Sequence, residues 1–450
     1  MIPRWDFPSG RPIIAGLIPV AGWGRMKRPP MKSKALSRRS FLGTLTGAVM
    51  ATPVCGAGSV RKKIALLGTE DRSQSHAQHF IDRFLLGYGW RGGWHMPEVD
   101  LVSLYIDQFP QGDLARARAK QCNVTIYPGI REALCLGGEQ LAVDGVVIIG
   151  EHGDYPYNDR GQHLYPRYAW FKQVVKVFEQ SGRSVPVFND KHLSTEWSQC
   201  VEMVSDSLRL NFPFLAGSSL PVTWRQPSID IPHGTPLKES VCVGYGGVDS
   251  YDIHGLEAAQ CMSERRKGGE VGISSVHAVK GAKVWEMMAD RKITQRLLIS
   301  ALSRSHTLPV EGGYPTAPVT MDWARKVFPD PTAYFIEHRD GFRTTLFLLA
   351  VQDFNYAGLR ADNDEVIACQ MHLPMPGSGA STANFFNPLV HHIETMVLEN
   401  RAPYPVERTL LTSGMTLAAV ESLHRGQVPV ATPEMGVLYE ATKASTFWQD

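Results

Sequence analysis

Few stretches leave a chain as little freedom as Val143-Asp144-Gly145-Val146-Val147-Ile148-Ile149-Gly150. An apolar run of this length closed by glycine predicts a strand buried on both faces, the kind found in parallel sheets covered by helices on either side. Lys63-Ile64-Ala65-Leu66-Leu67-Gly68 has the same character and predicts the first strand; Leu101 to Ile106, Val124 to Tyr127, Val185 to Phe188 and Phe214 to Gly217 predict others. Helical patterns lie between them, over Ser75 to Leu86, Asp113 to Gln121, Tyr165 to Gln180 and Trp197 to Leu210. Strands alternating with helices imply a doubly wound, Rossmann-like parallel sheet in an α/β protein. A Gly/Trp-rich insertion, Gly87 to Pro97, interrupts the first repeat.

Beyond Pro221 the pattern changes. A helical segment, Asp252 to Arg265, precedes alternating stretches such as Ala333 to His338 and Thr344 to Val351, and the chain turns helical again over Phe386 to Glu399 and Arg408 to His424. That is an α+β domain with a mostly antiparallel sheet. The expected organisation is a leader over 1–58, a nucleotide-binding domain over 59–220, and a substrate and oligomerisation domain over 221–450.

Within the leader, a basic stretch runs into Ser37-Arg38-Arg39-Ser40-Phe41-Leu42-Gly43 and a weakly apolar segment ending at Cys55-Gly56-Ala57. It resembles a twin-arginine signal peptide, which implies folded export to the periplasm or beyond, with the translocase as a transient partner. Its apolar segment falls short of the ~20 residues a membrane span needs, and no other stretch reaches that length, so no span is expected in the mature chain. With 46 basic and 44 acidic side chains the net charge is +2, which directs the search to a small molecule rather than nucleic acid or anionic lipid. Seven cysteines without a CxxC or CxxH pair argue against a zinc ribbon; six fall in the mature chain and are expected as free thiols.

Arg183-Ser184-Val185-Pro186-Val187-Phe188-Asn189-Asp190-Lys191-His192-Leu193 is similar to the segment carrying the Glu-Lys-Pro motif of the Gfo/Idh/MocA oxidoreductases, the glucose-fructose oxidoreductase and inositol dehydrogenase family. Gly246 to Glu257 resembles the same family's helix whose histidine points at the substrate. The resemblance implies hydride transfer between a sugar or polyol and bound NAD or NADP. Lys191 takes the place of the active-site lysine and His254 that of the histidine, with Asp252 as the neighbouring carboxylate; the family's aspartate, four residues before the histidine, is here Ser250. By the same analogy Gly68 and Thr69 lie at the phosphate turn, Asp107 meets the ribose, Glu151 and Asp190 border the cofactor, and homo-oligomers are expected. The departure is at that first turn: the family has GxGxxG, whereas this chain has Gly68-Thr69-Glu70-Asp71-Arg72-Ser73, with two carboxylates where phosphate would lie.

The loop Gly150-Glu151-His152-Gly153-Asp154 follows the strongest strand and so sits at the carboxyl edge of the sheet, where ligands collect. His152 and Asp154, with Arg167 and Arg225, are candidate substrate-binding residues. Alternatively His152 and Asp154, joined by Glu151, His192 and His254, could hold a divalent metal. Two functions stay open: an exported oxidoreductase acting on a sugar or polyol with tightly bound NAD(P), or a cofactor-less descendant acting as a metal-assisted sugar lyase or isomerase, or as a non-catalytic sugar-binding protein.

Overall fold

The computed structural model describes residues 61–309, 318–374 and 382–449; the leader, with its Arg38-Arg39 pair, lies outside them. The first half runs β1 (Lys62–Gly68), α1 (His76–Leu86), a hairpin of β2 (Tyr88–Trp90) and β3 (Gly93–His95), β4 (Val99–Ile106), α2 (Ala115–Cys122), β5 (Thr125–Tyr127), α3 (Ile130–Cys135), β6 (Gly145–Ile149), α4 (Arg167–Ser181), β7 (Val187–Asp190), α5 (Trp197–Arg209) and β8 (Phe214–Gly217). Its six-stranded sheet has the order β5-β4-β1-β6-β7-β8, parallel throughout. This is the doubly wound order, and the strand sequence reverses between β1 and β6. All five residues of β6 are buried, as a strand covered on both faces requires.

The second half runs β9 (Arg225–Gln226), β10 (Leu237–Tyr245), α6 (Asp252–Ser263), β11 (Ile273–Lys280), α7 (Ala282–Met288), α8 (Lys292–Leu302), α9 (Met321–Val327), β12 (Thr332–His338), β13 (Arg343–Leu349), β14 (Phe354–Arg360), β15 (Val366–Met371), α10 (Asn387–Glu399), α11 (Glu407–His424) and β16 (Val430–Ala431). Its eight strands lie in the order β16-β11-β12-β13-β10-β14-β15-β9. β10 and β13 pair in parallel and the other neighbours antiparallel, so the sheet is mostly antiparallel, as expected. No helix among the described residues is long and apolar enough to cross a membrane.

Two helices tie the halves together. All twelve residues of α6 are buried, because β10 lies along one side and α11 along another. Helix α10 returns to the first sheet: Lys62 Nζ donates to the carbonyls of Val397 (2.7 Å) and Leu398 (3.1 Å), satisfying acceptors at the helix's C-terminal end. Gly145 is required by this packing, since a Cβ there would stand 2.6 Å from Val397 Cγ2. One apolar core runs continuously through the first sheet, α10, α11 and the inner face of the second sheet, and a smaller one lies under α7, α8 and α9.

Candidate functional site

At the carboxyl edge of β6 and β7 two loops meet with unusual backbones. His152 has φ +70° and Lys191 φ +61°, a left-handed conformation that costs a residue with a Cβ about 1 kcal/mol or more and recurs at functional sites. Lys191 is turned so that its Nζ donates to Glu151 Oε1 (2.9 Å) and to the Ser250 carbonyl (3.1 Å). Arg167, 1% exposed at the start of α4, donates to Glu151 Oε2 at 2.6 Å and has its other terminal nitrogen 3.0 Å from His192 Nε2. Burial pushes the Glu151 carboxyl up, but Lys191 and Arg167 together outweigh it and hold the group well below the usual carboxylate range. One carboxylate therefore sits between two buried cations.

In front of this triad lies a cavity of about 260 Å³. Its polar wall is His76 and His79 from α1, His152, Asp190 at the end of β7, and His254 from α6. Tyr245, Tyr251, Ser218 and Ser219 add hydroxyls, and Phe385 and Phe386 close the apolar side. Asp190 is 1% exposed, and its Oδ2 lies 2.6 Å from His76 Nδ1. That contact orients the His76 ring, which lines the cavity. Burial and the field of His76 push the imidazoles of His79 and His152 down to about 3. Burial and Lys191 likewise hold His254 well below its ordinary range. These three rings are neutral at pH 7, and His254 Nδ1 is buried without a hydrogen-bond partner.

The residues singled out in the sequence divide accordingly. His152, Asp190 and His254 line the cavity, with Lys191, Glu151 and Arg167 directly behind it. Asp252 does not reach it: its carboxylate accepts from Tyr334 Oη (2.9 Å) and from the amides of Asp249 and Ile253, anchoring the start of α6. Arg225 is also elsewhere, paired with Asp230 at 2.9 Å and stacked over Phe447 at 4.2 Å. Asp154 is exposed, so the set with His152, Glu151, His192 and His254 does not converge as metal ligands; Glu151 and His192 are already taken by Lys191 and Arg167. His76, His79 and Tyr251 were not foreseen. The two histidines leave one trace in the sequence, the i, i+3 pair His76-Ala77-Gln78-His79, one helical turn apart on the same face, and Tyr251 lies inside the Gly246 to Glu257 stretch without a role assigned to it there.

A nicotinamide dinucleotide can be tested against the same edge. Gly68 is the single glycine of the β1 turn, and Thr69 is buried, donating through its amide to Ile149 O and through its hydroxyl to Glu151 O. Asp71, in the phosphate turn, is fully buried with neither carboxylate oxygen hydrogen-bonded. Burial, with Asp82 and Asp113 adding to it, pushes its carboxyl up to about 7. Glu70 is held by Arg72 at 2.6 Å. Both oxygens of Asp107 accept tyrosine hydroxyls, from Tyr105 (2.7 Å) and Tyr155 (2.5 Å), where a ribose would need them. Gln108 then bonds twice to Asp154, donating to its carbonyl (3.1 Å) and accepting from its amide (2.8 Å). This clasp bridges the β4 and β6 loops across the crevice. The residues present do not fit a dinucleotide in the usual Rossmann pose.

No protein-family model matches the chain, and no curated protein matches it in sequence. Solved structures match it in fold. The myo-inositol dehydrogenase from Lactobacillus casei, in complex with NAD(H) and myo-inositol, aligns with a TM-score of 0.51 over 83% of this chain and 97% of its own, at 12% identity. GenD2 from gentamicin A biosynthesis, in complex with NAD, aligns with a TM-score of 0.51 over 83% and 96%, also at 12% identity. The structural neighbours are thus inositol and sugar dehydrogenases of the Gfo/Idh/MocA type. At this identity the likeness is one of fold alone: a Rossmann-like parallel sheet joined to a mostly antiparallel one.

Proposed function

We propose that this chain is an enzyme of proton transfer acting on a sugar or polyol, an isomerase or lyase rather than a dehydrogenase, with the histidine-lined cavity as its active site. The observation that carries this reading is the Asp190–His76 pair, a buried carboxylate orienting an imidazole that lines the cavity. His76 Nε2 takes a proton from the substrate, and Asp190 stabilises the imidazolium that forms. His254, held neutral by its surroundings, donates its ring N–H to a substrate oxygen as negative charge develops there. Tyr245, Tyr251, Ser218 and Ser219 supply hydroxyls for a polyhydroxylated ligand, and the apolar face of Phe386 suits the C–H face of a sugar ring. Lys191 acts through position: its ammonium orders Glu151 and the Ser250 carbonyl rather than reaching the substrate. The Ser37-Arg38-Arg39-Ser40-Phe41-Leu42 stretch supports twin-arginine export, which would carry this chemistry outside the cytoplasm.

The test is deuterium incorporation at carbon when the 59–450 chain is incubated in D2O with a panel of sugars, polyols and their keto forms. Asp190→Asn and His76→Gln are expected to lower the exchange rate by about 10²–10⁴ with the fold intact. A parallel measurement decides the rival. Denatured protein should release no dinucleotide, and the native chain should bind no added NAD or NADP. Stoichiometric nucleotide would overturn the proposal and restore the oxidoreductase reading, in which Lys191 and His254 serve hydride transfer on a sugar or polyol with tightly bound cofactor.

A further inference from the structure

We propose that His95, His391 and Glu394 form a site for a late first-row divalent cation, zinc foremost, that clips the Gly/Trp-rich hairpin to helix α10. No part of the proton-transfer site uses these residues. One ligand atom from each lies within 4.8 Å of the other two. His95 Nε2 is 2.8 Å and His391 Nδ1 3.8 Å from Glu394 Oε2. Tetrahedral zinc with bonds of about 2.0–2.1 Å sets its ligand atoms about 3.3 Å apart. The two separations to Glu394 straddle that value and the third lies within 4.8 Å, so an ion needs side-chain rotations but no movement of the backbone elements that carry the three ligands.

The surroundings are built in the manner of a metal's outer shell. Glu394 Oε1 accepts the Glu98 amide at 2.6 Å, and the Tyr88 hydroxyl donates to Oε2 at 3.4 Å, so the carboxylate is held in place from the protein side. The His391 ring packs on Trp90 with centroids 4.5 Å apart, and Trp90 stacks on Trp448 at 5.2 Å. His391 Nδ1 is buried and has no hydrogen-bond partner, which is costly for an imidazole nitrogen unless something coordinates it. His391 and Glu394 lie three residues apart on one face of α10, and His95 ends β3, so a bound cation links two elements that are remote in sequence. Two imidazoles and one carboxylate select zinc and its neighbours over magnesium or calcium, and they leave a fourth position for water or a small anion.

The experiment uses the 59–450 chain stripped with chelator and dialysed, then titrated with Zn²⁺ against a chromophoric competitor and, separately, with Co²⁺. The wild-type chain is expected to take one Zn²⁺, to melt at a higher temperature with it, and to give Co²⁺ visible bands without thiolate charge transfer, which rules out the cysteines. His95→Ala/His391→Ala is expected to weaken Zn²⁺ binding by at least the roughly 10–100-fold that loss of an outer-shell partner alone costs and to lose the thermal gain. Glu394→Gln retains an acceptor for the Glu98 amide and is expected to weaken binding too, which guards against a double variant that fails to fold. Failure of the wild-type chain to bind Zn²⁺, or unchanged stoichiometry and affinity in a folded variant, would overturn the proposal.

Discussion

Replacing Asp71 by asparagine should make this protein more stable, and only above mildly acidic pH. Asp71 is fully buried in the β1–α1 turn, with neither carboxylate oxygen hydrogen-bonded. Burial, with Asp82 and Asp113 in support, pushes its carboxyl up to about 7 from an ordinary 3.8, against the pull of Arg118. The folded state therefore keeps the proton that the unfolded chain gives up near pH 4. Below that pH the group is neutral in both states and has no effect. Between pH 4 and 7 each unit adds about 1.4 kcal/mol in favour of unfolding, so the full cost approaches about 4 kcal/mol. Asparagine has the same shape and no charge, so Asp71→Asn should gain about 2–4 kcal/mol at pH 8 and almost nothing at pH 4. Denaturant melts of both proteins from pH 4 to 9 measure the difference directly, since other titrating groups largely cancel. An equal offset at every pH, or a loss of stability at pH 8, would refute the reasoning.

Glu151→Gln removes the charge between Lys191 and Arg167, leaving two buried cations uncompensated at a cost of about 3–5 kcal/mol at pH 7. Because the folded Glu151 carboxyl is held low, its contribution is present above about pH 4.3 and lost as pH falls through the folded value; wild-type and variant melts should converge in acid. The described residues hold six free cysteines, of which only Cys122 is not buried; burial pushes Cys200 and Cys261 up to about 12 and Cys369 up to about 11. A thiol reagent should modify at most Cys122 in the native 59–450 chain and six groups after unfolding, and a reductant should leave the melting temperature unchanged. Changing Arg38-Arg39 to Lys-Lys should keep the full chain in the cytoplasm, scored by cell fractionation.

The first sheet was readable because its central strands, β1 and β6, are covered on both faces. Lys63–Gly68, Leu101–Ile106 and Val146–Ile149 each carry enough consecutive apolar side chains to announce themselves without their partners. The second sheet was less legible. β10 reads as a strand only beside β13, and their parallel pairing inside an antiparallel sheet has no local signature. The site was half legible. Lys191 and His254 stand out through their motifs, and His152 through its place after β6. His76 hides in a helix that reads as polar, and its importance depends on Asp190, 114 residues away. Asp107 looks like a ribose acceptor until Tyr155, 48 residues on, fills one of its oxygens. Asp252 sits near the right spacing, but its carboxylate is already committed to Tyr334. Local pattern records which face is buried; it does not record which polar groups satisfy one another across the fold.

The packing of α10 onto β1 has a consequence for how the protein is made. Lys62 and Val397 are 335 residues apart, so at about 5–20 residues per second a ribosome needs roughly 20–70 s to synthesise the cover for a strand it has already released. For the last 252 residues of that span, from Gly145 to Val397, the niche above Gly145 stands open to water and to other nascent chains. A fragment ending near residue 220 would carry the complete parallel sheet yet stay permanently in that unfinished condition. Such a fragment should aggregate, and an α10–α11 peptide supplied in trans should rescue it.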